Sequence, residues 1–318
     1  MNIQELIQQT IGKRMLVVGD VALDINNVGE YIGISSREVH GKPVFFGDET
    51  TNPGAAGNLA MNLAKLGAQV TLICGFTTKD MYGMELLSQL LSAEIDVVQI
   101  ETDRTKKYGK NLLPNGNLEF RSDTKFPEIT DSMSNEITEH IQVNSILANG
   151  LIYADYAEEH HIGIVSIFNM VSYPVGLDIF ITSRNHMKHF RSYEHIWKVG
   201  NTDEITDHSQ EYIVVTDGQN SVKVNTKYQL PAISTKPAPY PNDPCGAGDT
   251  FLAIFSLCIS SGIDVEESVK LGMSGARWTC MQMFTTGTPT WDQVIEQYDE
   301  IYGRKGIGVF MAEESGRG

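Results

Sequence analysis

A chain of 318 residues, 41% of them hydrophobic, can bury one large α/β core with a small appendage. Its formal charge of −16 and pI near 4.9 provide no broad basic face, which argues against nucleic acid or an anionic membrane as a partner and requires any phosphate to be held locally. Cys74, Cys245, Cys258 and Cys280 show no paired metal-ligand spacing and lie in or beside apolar segments, as free thiols do in a reducing compartment; with no signal-peptide pattern and no apolar span of membrane length, the expected location is the cytoplasm.

In chain order, Ile3, Leu6, Ile7 and Ile11 recur at helical spacing over residues 2–12, and Gly12 ends the pattern. Residues 14–19 read as a buried strand closed by Asp20. Ligands gather at the carboxyl ends of strands in open α/β sheets, so Asp20 and Asp24 stand where a substrate can lie; capping a loop is the alternative use. From 26 to 52 the chain is Gly- and polar-rich, with short strand-like pieces at 28–34 and 43–46. The run from Asn52 to Gly67 opens with small residues and continues as a helix whose apolar positions face the sheet. A strand at 69–74, a helix at 84–91 and a strand at 95–100 follow. Asn115-Gly116 between 107–113 and 118–121 signals a hairpin.

Next come a helix at 131–147 and a strand at 151–156. Glu158-Glu159-His160-His161 reads as a solvated turn and not a metal site, because adjacent residues point to different sides. The segment after it has little room for a full crossover helix, and its apolar residues predict a strand at 164–171; another strand at 178–182 leads to Asn185 and Lys188. A strand at 212–216 ends in the turn 217–221, and a further strand begins at 222. The stretch Asn242-Asp243-Pro244-Cys245-Gly246-Ala247-Gly248-Asp249-Thr250 then opens an apolar helix. Its glycines leave backbone N–H groups free to meet an anion, and Asp249 sits in the first turn facing the same space. An anion cradle beside a base suggests phosphoryl transfer; a plain Gly-rich loop with an ordinary first-turn acid is the alternative. A helix at 263–283, the loop 285–289, a closing helix at 291–302 and a Gly-rich tail at 303–318 complete the chain.

Asp243 with Gly246-Ala247-Gly248-Asp249-Thr250, the run Asn52-Pro53-Gly54-Ala55-Ala56-Gly57-Asn58, and Gly19-Asp20 through Asp24 resemble the signatures of the ribokinase or phosphofructokinase-B family of carbohydrate kinases, most closely its heptose-7-phosphate kinase branch. The resemblance spans about residues 14 to 290. It implies a three-layer α/β/α ribokinase-like fold with a mainly parallel central sheet and a small β lid, in one domain over 1–302 with the lid at 26–52 and 105–123. The implied activity is ATP-dependent phosphorylation of a sugar or sugar-phosphate hydroxyl, with Mg²⁺. Asp249 would be the general base, and Gly246, Ala247 and Gly248 the anion hole. Asp20, Asp24, Gly54, Asn58, Lys106, Arg121 and Asp123 would hold the substrate, and Asn185, Thr216, Gly218, Asp243 and Gly287 the ATP.

The chain departs from the family at three residues: Ala55 stands where a second glycine is common, Lys188 where a glutamate helps organise magnesium three residues after the asparagine, and Cys245 where threonine is usual, for small-residue packing or, alternatively, a redox switch. The family also implies a homodimer formed through the lid. Two other readings stay open: a kinase for a free sugar or nucleoside, and a non-catalytic binding or regulatory protein, which Lys188 and the short segment 157–180 favour.

Overall fold

Two sheets organise the chain. In this computed structural model, which describes residues 3–35, 41–161, 163–191, 195–206, 212–226, 231–240 and 243–303, the larger has the order β12-β11-β10-β9-β8-β1-β4-β5. Its strands are β1 (Arg14–Gly19), β4 (Gln69–Phe76), β5 (Asp96–Glu101), β8 (Gly150–Asp155), β9 (Asp178–Ser183), β10 (Ile196–Asn201), β11 (Ile213–Thr216) and β12 (Lys223–Asn225). All neighbours are parallel except β12, which runs antiparallel to β11. Parallel strands need covering on both faces, and the apolar runs supply it by alternation. Met15 and Val17 of β1 point into a layer with α2 (Ala56–Lys65), α3 (Met81–Ser92), α6 (Ala247–Ile259), α7 (Val265–Cys280) and α8 (Trp291–Tyr302). Leu16 and Val18 point the other way, into a layer with α4 (Asp131–Asn144) and α5 (Gly163–Met170). The short α1 (Ile3–Gln8) adds Leu6 to the first layer.

The second sheet has the order β3-β2-β6-β7, from β2 (Val21–Ile34), β3 (Pro43–Ala55), β6 (Lys107–Leu112) and β7 (Leu118–Asp123). β2 starts in the core, with its first six residues buried, and ends in solvent with its last five exposed. It thus carries the sheet out over the carboxyl ends of the large sheet as a lid. Tyr31, Phe45 and Phe120 pack edge to face on it, with ring centroids 5.3 and 6.3 Å apart. Ile32, Ile34, Phe46 and Leu118 stay more than half exposed.

Four expectations are corrected. Residues 164–171 are not a strand: α5 spans Gly163–Met170 and is the crossover from β8 to its parallel neighbour β9. Its buried residues Ile164, Val165, Ile167 and Phe168 have the i, i+1, i+3, i+4 spacing of one helix face, so the β-branched content misled where the period did not. The lid strands β2 and β3 run 14 and 13 residues where short pieces were expected, because a solvated sheet face tolerates the polar residues that disguised them. Residues 52–55 end β3, and α2 begins only at Ala56. The strand β10 was not anticipated; Lys198 interrupts its apolar run, yet is buried with its ammonium donating to Phe190 O at 2.7 Å. The tail beyond Gly303 and Asn242 lie outside the described residues. No described helix is long and apolar enough to cross a membrane.

Candidate active site

The lid and the carboxyl ends of the large sheet enclose a cleft of about 630 Å³. The glycine turn lies on its floor. Gly246 caps α6 in the left-handed region (φ 81°), and a Cβ there would come within 2.4 Å of Thr286 O, so no other residue fits. Gly248 faces open space, with nothing within 4 Å of where a Cβ would stand. Asp243 fixes the turn from outside the cleft, its carboxylate accepting from Cys245 N–H at 2.9 Å. One detail of the turn differs from expectation: Ala247 N–H donates to Pro244 O at 3.2 Å. The N–H groups of Gly246, Gly248 and Asp249 have no acceptor among the described residues and are the donors available to an anion.

Asp249 is held from two sides. Asn58, in the first turn of α2, donates through Nδ2 to Oδ2 at 2.7 Å, and the Tyr156 phenol donates to Oδ1. Asn58 is itself tied by Asn62, whose Nδ2 donates to the Asn58 carbonyl at 2.9 Å. Burial pushes the Asp249 carboxyl above the ordinary carboxylate range, while the bonds from Tyr156 and Asn58 and the charge of Arg184 oppose the rise. Asp24 of β2 lines the same cleft; burial pushes it up to about 6, opposed by Lys110, and the Asp249 charge adds to the rise. Gly54 makes room for Asp24, since a Cβ there would lie 2.6 Å from Asp24 Oδ1.

The other expected site residues divide. Arg121, Thr216 and Gly218 line the cleft. Arg121 stands over the Tyr108 ring at 5.3 Å and pairs at 2.7 Å with Asp123, which does not itself line the cleft. Lys106 is buried behind the lid, donating to Thr124 O and paired with Glu158 at 3.4 Å. Asp20 is outside the cleft wall as well: its Oδ2 accepts from the N–H groups of Tyr156 and Ala157 at 2.9 and 3.0 Å. Asn185 donates to Ala157 O at 2.8 Å, and Lys188 lies exposed in the 3₁₀ turn Met187–His189; neither lines the cleft. Gly287 supports the floor through its carbonyl, which accepts from Asn62 Nδ2 at 3.4 Å.

What lines the wall instead are the two ends of the turn Asn201-Thr202-Asp203-Glu204, leading out of β10. Asn201 and Glu204 both reach the cleft, with Glu204 Oε2 accepting from Asn201 N–H at 2.8 Å, and burial raises the Glu204 carboxyl above its ordinary range. The asparagine-to-glutamate spacing of three, sought at Asn185 and Lys188, is present here. Its signal in the sequence was that spacing directly after Trp197, Val199 and Gly200, hidden once β10 was missed. Tyr156 and Arg184 are further cleft residues that sequence reasoning passed over; Lys110, which reads in the sequence as a solvated lid charge, also lines the cleft. Lys110 Nζ lies 3.2 Å from the half-buried Cys245 thiol. No group of three or more His, Cys, Asp or Glu among the described residues is arranged to hold a metal. The amide and carboxylate of Asn201 and Glu204 nonetheless suit Mg²⁺, which keeps most of its shell as water and substrate phosphates.

No protein-family model matches the chain. It is 27% identical over 329 residues to the bifunctional protein HldE of Proteus mirabilis (strain HI4320), covering 95% of this chain and 66% of that protein. Against the bifunctional protein HldE of Escherichia coli O157:H7 it is 26% identical over 331 residues, with coverages of 94% and 66%. The chain thus spans just under two thirds of the length of these curated relatives. Among solved structures, the phosphofructokinase-2 of Escherichia coli in complex with fructose-6-phosphate superposes with a TM-score of 0.68 at 16% identity, covering 92% of this chain and 99% of that one. Ribokinase from Cryptococcus neoformans var. grubii serotype A in complex with ADP gives 0.64 at 16%, covering 90% and 100%. The chain has the ribokinase-like fold, and its neighbours in structure are carbohydrate kinases of the ribokinase and phosphofructokinase-B kind.

Proposed function

We propose that the chain is an ATP-dependent kinase acting on a hydroxyl of a sugar or sugar phosphate. The observation that carries this reading is the Asp249 carboxylate held by Asn58 and Tyr156 beside the free N–H groups of a glycine turn, in a cleft with a separate wall on each side. The lid side, with Asp24, Lys110 and Arg121, offers acceptors and cations to a polyol or its phosphate. The opposite end, with Thr216 and Gly218 at the edge of the large sheet, takes the nucleotide.

In this mechanism Asp249 accepts the proton of the acceptor hydroxyl as its oxygen attacks the γ-phosphoryl group in line. A base with an elevated pKa suits that task near neutral pH. The N–H groups of Gly246, Gly248 and Asp249 stabilise the charge on the transferring group without reorganising. Asn201 and Glu204 are the residues that would hold Mg²⁺, which supplies charge neutralisation at the ATP phosphates. With the asparagine and glutamate accounted for here, Lys188 no longer speaks for a non-catalytic protein.

The resemblance to a heptose-phosphate kinase, the single domain over 1–302 and the cytoplasmic location remain parts of this proposal. So does a homodimer through the lid, for which the exposed Ile32, Ile34, Phe46, Leu118 and Phe120 provide an apolar face. The functional test is ADP release with ATP and Mg²⁺ across sugars, sugar phosphates and nucleosides. Turnover confined to phosphorylated sugars is expected; turnover confined to nucleosides would replace this acceptor with another.

A further inference from the structure

We infer that Tyr156 is the positioning residue for Asp249, its phenol fixing one carboxylate oxygen while Asn58 fixes the other. The inference rests on the kinase reading insofar as Asp249 is the base.

Tyr156 directly follows β8 and is half-buried against the cleft. Its backbone is clamped from two neighbouring strands of the sheet. On the β1 side, Asp20 Oδ2 accepts the N–H groups of Tyr156 and Ala157 at 2.9 and 3.0 Å. On the β9 side, Asn185 Nδ2 donates to Ala157 O at 2.8 Å. Asp20 and Asn185, neither of which lines the cleft, therefore have a common use: both hold the segment that aims Tyr156.

The target is fixed with equal care. Asn58 is tied to Asn62, and Asn62 Oδ1 in turn accepts from Thr250, the residue after Asp249, at 3.0 Å. Two donors on two different oxygens set the plane of the Asp249 carboxylate. A carboxylate has about four lone-pair positions, so two remain to receive the acceptor hydroxyl. The phenol is a donor that stays protonated, because burial and the neighbouring Asp249 charge push its own pKa well above the ordinary value. A donor to the ionised form favours that form. Other groups that bear on Asp249 are the Arg184 cation after β9, the Asp24 carboxylate on β2 and the Glu204 carboxylate after β10, and none of these takes the place of a hydrogen bond to Oδ1.

The test follows the Asp249 carboxyl by ¹³C NMR titration of the full chain labelled at aspartate Cγ, with the resonance assigned through Asp249→Asn. Removing one hydrogen bond to a buried charge is expected to raise the midpoint by about one to two pH units in Tyr156→Phe. Tyr173→Phe, which deletes a hydroxyl bonded to Phe168 O at 2.7 Å and to Tyr153 in the other layer, is expected to leave it in place. If Tyr156→Phe does not fold, 3-fluorotyrosine at position 156 keeps the shape and strengthens the donor, and the midpoint should fall. An unchanged midpoint in a folded Tyr156 variant overturns the inference, as does an equal shift in Tyr173→Phe. With an acceptor in hand, the acid limb of kcat/KM should move to higher pH with the NMR midpoint. The titration is independent of turnover, so a chain that shows the shift but phosphorylates nothing refutes the kinase reading and keeps this one.

Discussion

Replacing Asp20 by asparagine should stabilise the protein at pH 8, although it removes a charged acceptor of two backbone hydrogen bonds. Burial pushes this carboxyl from its ordinary 3.8 up to about 7, with the nearby Asp155 charge adding to the rise and the N–H groups of Tyr156 and Ala157 opposing it. Unfolded, the side chain loses its proton near pH 4; folded, it keeps it to about 7. The native state therefore binds the extra proton between these values, and stability falls as pH rises across the window. The full displacement corresponds to about 4 kcal/mol by pH 8. Asp20→Asn removes that cost and retains one oxygen to accept both N–H groups. It also buries an amide NH₂ whose desolvation costs roughly 1–3 kcal/mol, so a net gain of about 2 kcal/mol is expected. Urea denaturation of both proteins from pH 4 to 8 reads the effect directly. The advantage of the variant should be large at pH 8 and vanish or reverse near pH 4. A variant less stable by the same amount at every pH would show that Asp20 is ionised in the native state, and would refute the reasoning.

Glu204→Gln should lower kcat/KM about 10- to 100-fold, the usual range for a group that organises a metal, whereas Lys188→Ala should change it less than about twofold; the reverse order would contradict the assignment of the metal-organising role to Asn201 and Glu204. Ala55 carries φ 54° and ψ −128° at the start of α2, a region that costs a non-glycine residue about 1–3 kcal/mol. Ala55→Gly should raise the Tm by one to a few degrees after glycine's own entropic cost of about 0.5–1 kcal/mol, and a drop of several degrees in calorimetry would contradict the strain. Ile32→Glu combined with Phe120→Glu should convert a dimer to monomer in sedimentation velocity; a wild type that is monomeric at high concentration removes the lid interface.

The strands of the large sheet were legible where the chain alternates apolar residues between two buried layers, as Met15 to Val18 do. The glycine turn and Asp249 were legible because a positive φ and an open approach leave little choice of residue. Less legible were elements whose signal depends on tertiary partners. The α5 face Ile164, Val165, Ile167, Phe168 looks strand-like until the layer it covers is known, and β10 is interrupted by a lysine that finds its acceptor, Phe190 O, eight residues back in the chain. Missing β10 moved the asparagine-glutamate spacing from 201 and 204 to 185 and 188. Tyr156 was hidden for a different reason: a tyrosine closing an apolar strand reads as core, and only the fold brings it to an aspartate 93 residues away. Asp20 was identified as a ligand of the sugar because it ends a strand, but its partners are backbone N–H groups, which carry no side-chain signature.

The central claim is that Asp249 takes a proton from the acceptor hydroxyl during phosphoryl transfer. Steady-state ADP release by wild type and Asp249→Asn, with nucleotide affinity measured in parallel by calorimetry, tests it most directly. Asparagine keeps the shape and the bond from Asn58 but cannot act as a base. The account predicts kcat lower by about 10²–10⁴-fold with ATP affinity changed only a few-fold. Retention of more than about a tenth of wild-type kcat would show that Asp249 is not the base and would contradict the account.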